Sequence, residues 1–412
     1  MDQHRVSLVL QTLSELSQFK VMSMDKSALV FTGDIGFDNY MDGMWRDKDL
    51  LAKEVKEFLQ SGDHLIVNVE GALSKGDKNV LSNSVVALMH SMNPEVGDFL
   101  EDLGADIWSL ANNHIMDAGP VGMRDTLDIA KAKNVKTIGA GMNVSEAATP
   151  IYLEEAGGIG MFAVGYQRGC KKATEEDPGS FAWNEMDRIE AVIKEIKSKC
   201  RWCIVVAHGG EEFTALPSPY TRDRYLEYLN MGADIVVSHH PHVPMNYELV
   251  ETNKAIFYSL GNFIFDTNYQ RAQYNTEKGI LLKLNLDENE FSFEALGLKI
   301  NRENEHIEKA DLPLIFEDVQ ASEYELLEPL SAKAFVNATK RQQRYLFPDK
   351  YNDNTTDEEW EENFNNPKRS GRVIGEGLDF YIIRPIAAKA ELGLWQQSKL
   401  ENVKKFILDS IV

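Results

Sequence analysis

The sequence predicts an α/β fold with a mixed sheet or two sheets, and three observations carry that expectation. From residue 28 onward short apolar runs alternate with helix-like stretches, as in chains whose strands are joined through helices. Two later β-rich runs follow each other across a polar turn. Beyond residue 301 the pattern turns helical. The apolar runs fall at 28–32, 65–69, 107–110, 161–164, 203–207, 235–237 and 255–258, each short enough for a buried strand. Helical periodicity appears between them at 47–60, 121–133, 186–198 and 222–231. The runs 279–286 and 291–300 flank Asp287–Glu288–Asn289–Glu290, so they read as an antiparallel pair. In the tail, 318–327, 331–340 and 386–408 carry helical patterns. Residues 352–372, rich in Asn, Asp and Glu with Pro367 and Gly371, read as a loop. Its acidic run at 357–362 reads as a solvated helix face. The expected organisation is a helical segment over 1–26, a main domain over 27–303 and a helical extension with an acidic loop over 304–412.

Composition narrows the partners. The 412 residues include 43 Lys and Arg against 65 Asp and Glu, a formal charge of −22, with 43% hydrophobic residues. A chain so acidic repels phosphate backbones and anionic membranes, which argues against nucleic acid as a partner. Three cysteines are too few for a disulfide framework and suit a reducing compartment. The first thirty residues are interrupted by His4, Arg5, Glu15, Lys20, Asp25 and Lys26, and the uncharged stretch 6–14 is too short to span a bilayer. We expect a cytoplasmic chain without a membrane span.

The histidines are the most informative residues. Of nine, five follow apolar runs directly: His114, His208, His239, His240 and His242. Ligands of α/β folds gather at the carboxyl ends of strands, where the loops converge. The same ends deliver Asp34, Glu70, Asn112 and Asn113. Asp34, Glu70, Asn113, His114, His208, His240 and His242 together form an oxygen and imidazole donor set suited to Mn²⁺, Fe²⁺ or Zn²⁺. In extended backbone the two imidazoles flanking Pro241 would point to one side. A carboxylate such as Glu70 could then bridge two ions about 4 Å apart, the arrangement that activates water for displacement at phosphorus.

Each residue alone has a plainer use. Asp34 could close an Asx turn, Asn112 and Asn113 could cap a helix, and His208 could be a hydrogen-bonded core histidine. Glu211 and Glu212 could orient a histidine, although a solvated loop is the simpler use for at least one of them. Gly261–Asn262 reads as a turn, or else as a loop facing substrate. Three imidazoles within residues 239–242 are harder to explain without a metal, since each would need a partner once desolvated. Cys200 and Cys203 join a helix end to a strand, so they suit neither a redox pair nor zinc.

Gly33–Asp34, Asn68–Val69–Glu70–Gly71, Ala111–Asn112–Asn113–His114, His208–Gly209–Gly210–Glu211–Glu212, His239–His240–Pro241–His242 and Tyr258–Ser259–Leu260–Gly261–Asn262–Phe263 succeed one another between residues 28 and 266. In that order they resemble the CapA family of poly-γ-glutamate capsule synthesis proteins, a branch of the calcineurin-like metallophosphoesterases. The resemblance implies a four-layer α/β/β/α sandwich, which the strands at 279–300 would close, followed by a C-terminal helical appendage. It implies two divalent ions, Mn, Fe or Zn, held by Asp34, Glu70, Asn113, His208, His240 and His242. His114 would act on the leaving group. Asn68, Asn112, Glu212, His239 and Asn262 would support the ligands or touch substrate. Related phosphoesterases read Asp-x-His at the first motif, whereas Asp34 is followed here by Ile35 and Gly36, and Glu70 stands where they carry aspartate. The expected function is a metal-dependent phosphoesterase acting through a bound hydroxide on a small or polymeric acidic substrate. Two alternatives are a non-hydrolytic capsule protein that binds an acidic polymer or partner, and a γ-glutamyl amide hydrolase.

Overall fold

The computed structural model describes residues 26–75, 90–166, 170–349, 351–352, 354–356, 358–359 and 401–411. Most of the expected helical segment 1–26, of the loop 352–372 with its acidic run and of the helix 386–408 lies outside the described residues.

Two sheets face each other. The first has the strand order β14-β13-β12-β1-β2-β3-β4. Here β1 is Ser27–Gly36, β2 His64–Val69, β3 Ala105–Ser109 and β4 Lys136–Ile138; β12 is Lys278–Leu286, β13 Phe291–Asn301 and β14 His306–Ala310. The second runs β9-β10-β8-β7-β6-β5. Its members are β5 Ile151–Leu153, β6 Ile159–Gly165, β7 Trp202–His208, β8 Ile235–His239, β9 Tyr247–Glu251 and β10 Lys254–Phe257. A further strand, β11 Asn262–Phe265, leaves the second sheet and pairs parallel to the far end of β1. The seven expected strands are present. The pair at 279–300 is antiparallel as expected, and β12 lies directly beside β1.

Side-chain alternation explains why the sheets stack. Leu29 and Phe31 of β1 point inward to meet Met161 and Ala163 of β6, Ile204 and Val206 of β7, and Phe257 of β10. Val30 and Ile35 point outward, into a second core with Val55 and Leu59 of helix α1 (Lys53–Leu59), Val96 and Leu100 of α2 (Val96–Asp102), and Met123 of α3 (Gly119–Ala132). On the other side Phe162 and Val164 meet Ile189, Ile193 and Ile196 of α4 (Met186–Lys197) and Tyr225 and Tyr228 of α5 (Pro219–Met231). The result is the four-layer α/β/β/α arrangement. Each fully buried large apolar side chain contributes about 1.5–3 kcal/mol, so registry between the sheets is strongly enforced.

Helix α5 begins three residues before the periodicity suggested, because Ser218 caps it by accepting from Thr221 N–H and Pro219 opens its first turn. The two expected tail helices 318–327 and 331–340 are one helix, α6 (Ala321–Leu346), running through Pro329. A helix-interior proline costs about 3 kcal/mol. Leu327, Leu330 and Ala334 offset it by packing on Ala215, Leu216 and on Val403 and Phe406 of α7 (Glu401–Asp409). Among the described residues no helix is long and apolar enough to cross a membrane.

Candidate metal centre

Because β1–β2–β3 and β6–β7–β8 run parallel within their sheets, their carboxyl ends meet at one rim of the stack. His239 ties the rims together by donating from Nε2 to the Thr32 carbonyl of β1, 2.9 Å away. Around this tie the first sheet places Asp34 and Glu70, both with no exposed surface, and the second places His208, His240 and His242, none more than 4% exposed.

The donors converge. His208 Nε2 and His242 Nε2 each lie 3.6 Å from Glu70 Oε1, and His114 Nε2 lies 4.0 Å from it. Asp34 Oδ2 is 3.3 Å from His242 Nδ1. Two triads, Glu70–His240–His242 and Asp34–Glu70–His208, each bring one ligand atom per residue within 4.8 Å of the others, and Glu70 belongs to both. Supporting residues fix the rings. Asn262 Oδ1 accepts from His242 Nδ1 at 3.0 Å, which turns Nε2 toward Glu70. Asn68 donates to Asp34 Oδ1 at 2.8 Å and sits 3.2 Å from His208 Nδ1, while His208 Nε2 meets Asn113 Oδ1 at 2.8 Å. Phe213 and Phe265 stack on the two faces of His242.

The donor set fits a divalent cation. Both Glu70 oxygens and His240 Nδ1 are buried without a hydrogen-bond partner, and burying a carboxylate without hydrogen bonds is strongly unfavourable. Burial pushes the Glu70 carboxyl well above its ordinary range. Burial likewise holds His114, His208 and His240 below the usual imidazole value. For His242 burial is outweighed by Glu70 and Asp34, which raise it to about 10. Burial also opposes ionisation of Asp34, yet its contact with His242 brings the carboxyl below its usual value. A cation reverses this balance, favouring ionised carboxylates and neutral imidazoles.

The chain matches the family described as "Bacterial capsule synthesis protein PGA_cap" over residues 28–267, more than half its length. It belongs to that family. Within it, the chain is 29% identical to the PGA biosynthesis protein CapA of Bacillus subtilis (strain 168), an alignment covering 63% of this chain and 69% of that protein. It is 27% identical to the capsule biosynthesis protein CapA of Bacillus anthracis, over 64% of this chain and 66% of the relative. It thus spans only about two thirds of these relatives. A solved structure, TT1561 of Thermus thermophilus, aligns with 65% of this chain and 98% of its own at 9% identity and a TM-score of 0.36. At that distance it bears on neither fold nor chemistry.

Within this PGA_cap member several readings change. Residues 240–242 are not extended: His240 and His242 have φ of 96° and 58°, and the loop curls so that both rings reach Glu70 by a bend. Neither Glu211 nor Glu212 is a solvated loop residue. Glu211 is buried and accepts from Ser218 N–H and Oγ and from Thr221, anchoring the start of α5. Glu212 accepts from Tyr269 and from Gln342 of α6, so a residue beyond the family match reaches the rim. Asn112 donates to the Val69 carbonyl and accepts from the His114 N–H, bracing the backbone on either side of the donors. Asn262 opens a strand instead of ending in a loop.

Glycines explain the first motif. A Cβ on Gly33 would stand 2.1 Å from the Gly261 carbonyl oxygen, and one on Gly36 would stand 2.2 Å from the Phe265 ring. No histidine fits where Gly36 is. Sequence reasoning also missed Asp38, His90, Asp117 and Phe265. His114 Nδ1 and the His90 N–H both bond Asp117 Oδ2, at 2.7 and 2.8 Å, and His90 Nδ1 bonds Asp38 Oδ2 at 2.7 Å. Burial pushes Asp117 up to about 7, the His90 N–H pulling it back. His90 directly follows the apolar run 85–89, the same signal that marks the other rim histidines, and sequence reasoning passed over it.

Proposed function

We propose that this chain is a metal-dependent phosphoesterase whose centre takes two divalent ions, Mn²⁺, Fe²⁺ or Zn²⁺, through Asp34, Glu70, Asn113, His208, His240 and His242. One observation carries the reading: Glu70, fully buried with neither oxygen hydrogen-bonded, stands within reach of three imidazoles and Asp34. Bound there, such ions supply Lewis acidity and lower the pKa of water. The chain's residues do the rest. Asn262 and Asn68 hold ligand side chains in place, and Phe213 and Phe265 exclude water from the faces of His242. Asp117 accepts from His114 Nδ1 and orients the ring, so that Nε2, turned toward the centre, would take up the proton given up by the attacking water and return it to the departing oxygen.

A second reading has its own support. Because Phe265 fills the space a histidine at position 36 would need, one ion has a ligand fewer than in related phosphoesterases, which suits a protein that binds an acidic polymer or partner without cutting it. Titration of the purified chain with Mn²⁺, Fe²⁺ and Zn²⁺, followed by a panel of phosphomonoesters, phosphodiesters and γ-glutamyl amides, separates the readings. Uptake of about two ions with phosphoester turnover supports the hydrolase. Uptake with no turnover of any phosphoester supports the binding protein, and turnover confined to amides overturns both.

A further inference from the structure

His90 is a second imidazole at the rim with no part in holding a cation. Asp38 Oδ2 contacts its Nδ1 at 2.7 Å, and a carboxylate only accepts, so the Nδ1 proton is fixed and Nε2 lies on the opposite side of the ring. Its ring stands edge to face against His114 at 4.2 Å between centroids, and against Phe265 at 4.9 Å. Phe265 in turn stacks on His242. Asp117 Oδ2 holds both the His90 N–H and His114 Nδ1, so one carboxylate sets the two imidazoles relative to each other. Each histidine thus has its own aspartate behind Nδ1, Asp38 for His90 and Asp117 for His114, and a free-standing nitrogen on the far side.

A filler does not explain this. Packing between Phe265 and His114 would be served by an apolar side chain, without the cost of burying an aspartate–histidine pair. His90 is not fully enclosed, retaining 8% exposure. An imidazolium that gives one N–H to a carboxylate still has the other to give to an anion.

We propose that His90 in its doubly protonated form, with Nδ1–H held by Asp38, gives its Nε2–H to an anionic oxygen of a substrate phosphate beside His114. The inference rests on the phosphoesterase reading for the identity of the anion, and its test is read by binding. Isothermal titration of the metal-loaded, full-length chain with inorganic phosphate should show His90→Ala weakening affinity about 10-fold, the usual worth of a charge-assisted hydrogen bond. Asp38→Asn should weaken it less, by about 3-fold, with bound metal unchanged in both variants. His90→Gln, of similar size, should weaken phosphate as His90→Ala does if the variant with the smaller side chain fails to fold. With a phosphoester, His90→Ala should raise KM and leave kcat within a few-fold, opposite to a loss at His114. Phosphate affinity equal to wild type in folded His90→Gln overturns the proposal, as does a fall in kcat with KM unchanged, which is what a mere prop for His114 would give. If wild type hydrolyses no phosphoester yet binds phosphate through His90, the hydrolase reading falls and this inference stands. If metal-loaded wild type binds no phosphate, this inference falls.

Discussion

The first sheet ends its strands in oxygen donors, Asp34, Glu70 and the amide of Asn113, whereas the second ends its strands in imidazoles, His208, His240 and His242. Neither set makes a centre by itself, since Glu70 comes from one sheet and the nitrogens facing it from the other. Their meeting depends on the apolar layer between the sheets, formed by the same strands that carry the ligands, with Phe31 three residues before Asp34 and Val206 two before His208. A site divided this way ties the chemistry of the rim to the packing of the middle.

The largest expected effect separates proton transfer from ligation within the first sheet's share. His114→Ala should retain its metal and lose turnover by about 10²–10⁴-fold, with a smaller loss for activated aryl phosphates. Its neighbour Asn113→Ala should instead weaken metal affinity by roughly 10–100-fold, read by chelator competition. Equal loss of metal in both variants would reject the division of roles.

Next comes the layer between. Phe257→Ala, at 0% exposure between the sheets, should destabilise by about 3–5 kcal/mol in denaturant unfolding. Metal affinity should fall along with it, although the residue touches no donor. Unchanged affinity in the destabilised variant would mean the rim is held by its own hydrogen bonds.

A smaller effect tests why the first motif lacks its histidine. Gly36→Ala should cost about 1–3 kcal/mol, because the added methyl meets a rigid ring, and Phe265→Leu should relieve part of that cost. Additive losses in the double variant would show that the two residues do not compete for space.

The smallest effect sits at the opposite end of the strands. His64, which opens β2, pairs with Asp106 and lies 3.8 Å from Glu155, in the turn between β5 and β6 of the second sheet. The hydrogen bond to Asp106 raises the His64 pKa against opposing burial. A raised histidine stabilises the fold fully below its unfolded pKa of about 6.5 and ceases to do so as pH rises through the folded value. The stability difference between wild type and His64→Gln should therefore be greatest in mild acid and shrink above neutrality, by at most about 1 kcal/mol after solvent screening. A difference that grows with pH would contradict the assignment.

Much of this arrangement is legible in the sequence, for local reasons. Buried parallel strands are continuous apolar runs, so Leu65–Val69 or Ile204–Ala207 stand out, and the polar residues that end them mark the rim. What local pattern does not encode stayed hidden. Lys136–Ile138 and Ile151–Leu153 are too short to show a period, and Asn262–Phe265 follows a glycine that imitates a turn. The separation expected between 318–327 and 331–340 is overridden by packing on residues far away in sequence. Gln342 reaches Glu212 across 130 residues, and His90 meets Asp38 across 52, contacts that no spacing rule anticipates.

The backbone of the imidazole loop has a final consequence. L-residues seldom adopt positive φ, and glycine or asparagine would sit at positions 240 and 242 with less strain. Selection for a durable fold alone would drift toward those residues. If the proposed function holds, histidines at both places make this loop a point of trade-off, where robustness is surrendered for reactivity. A screen for heat-resistant variants should therefore recover changes at 240 and 242 readily, and those variants should have become poorer catalysts.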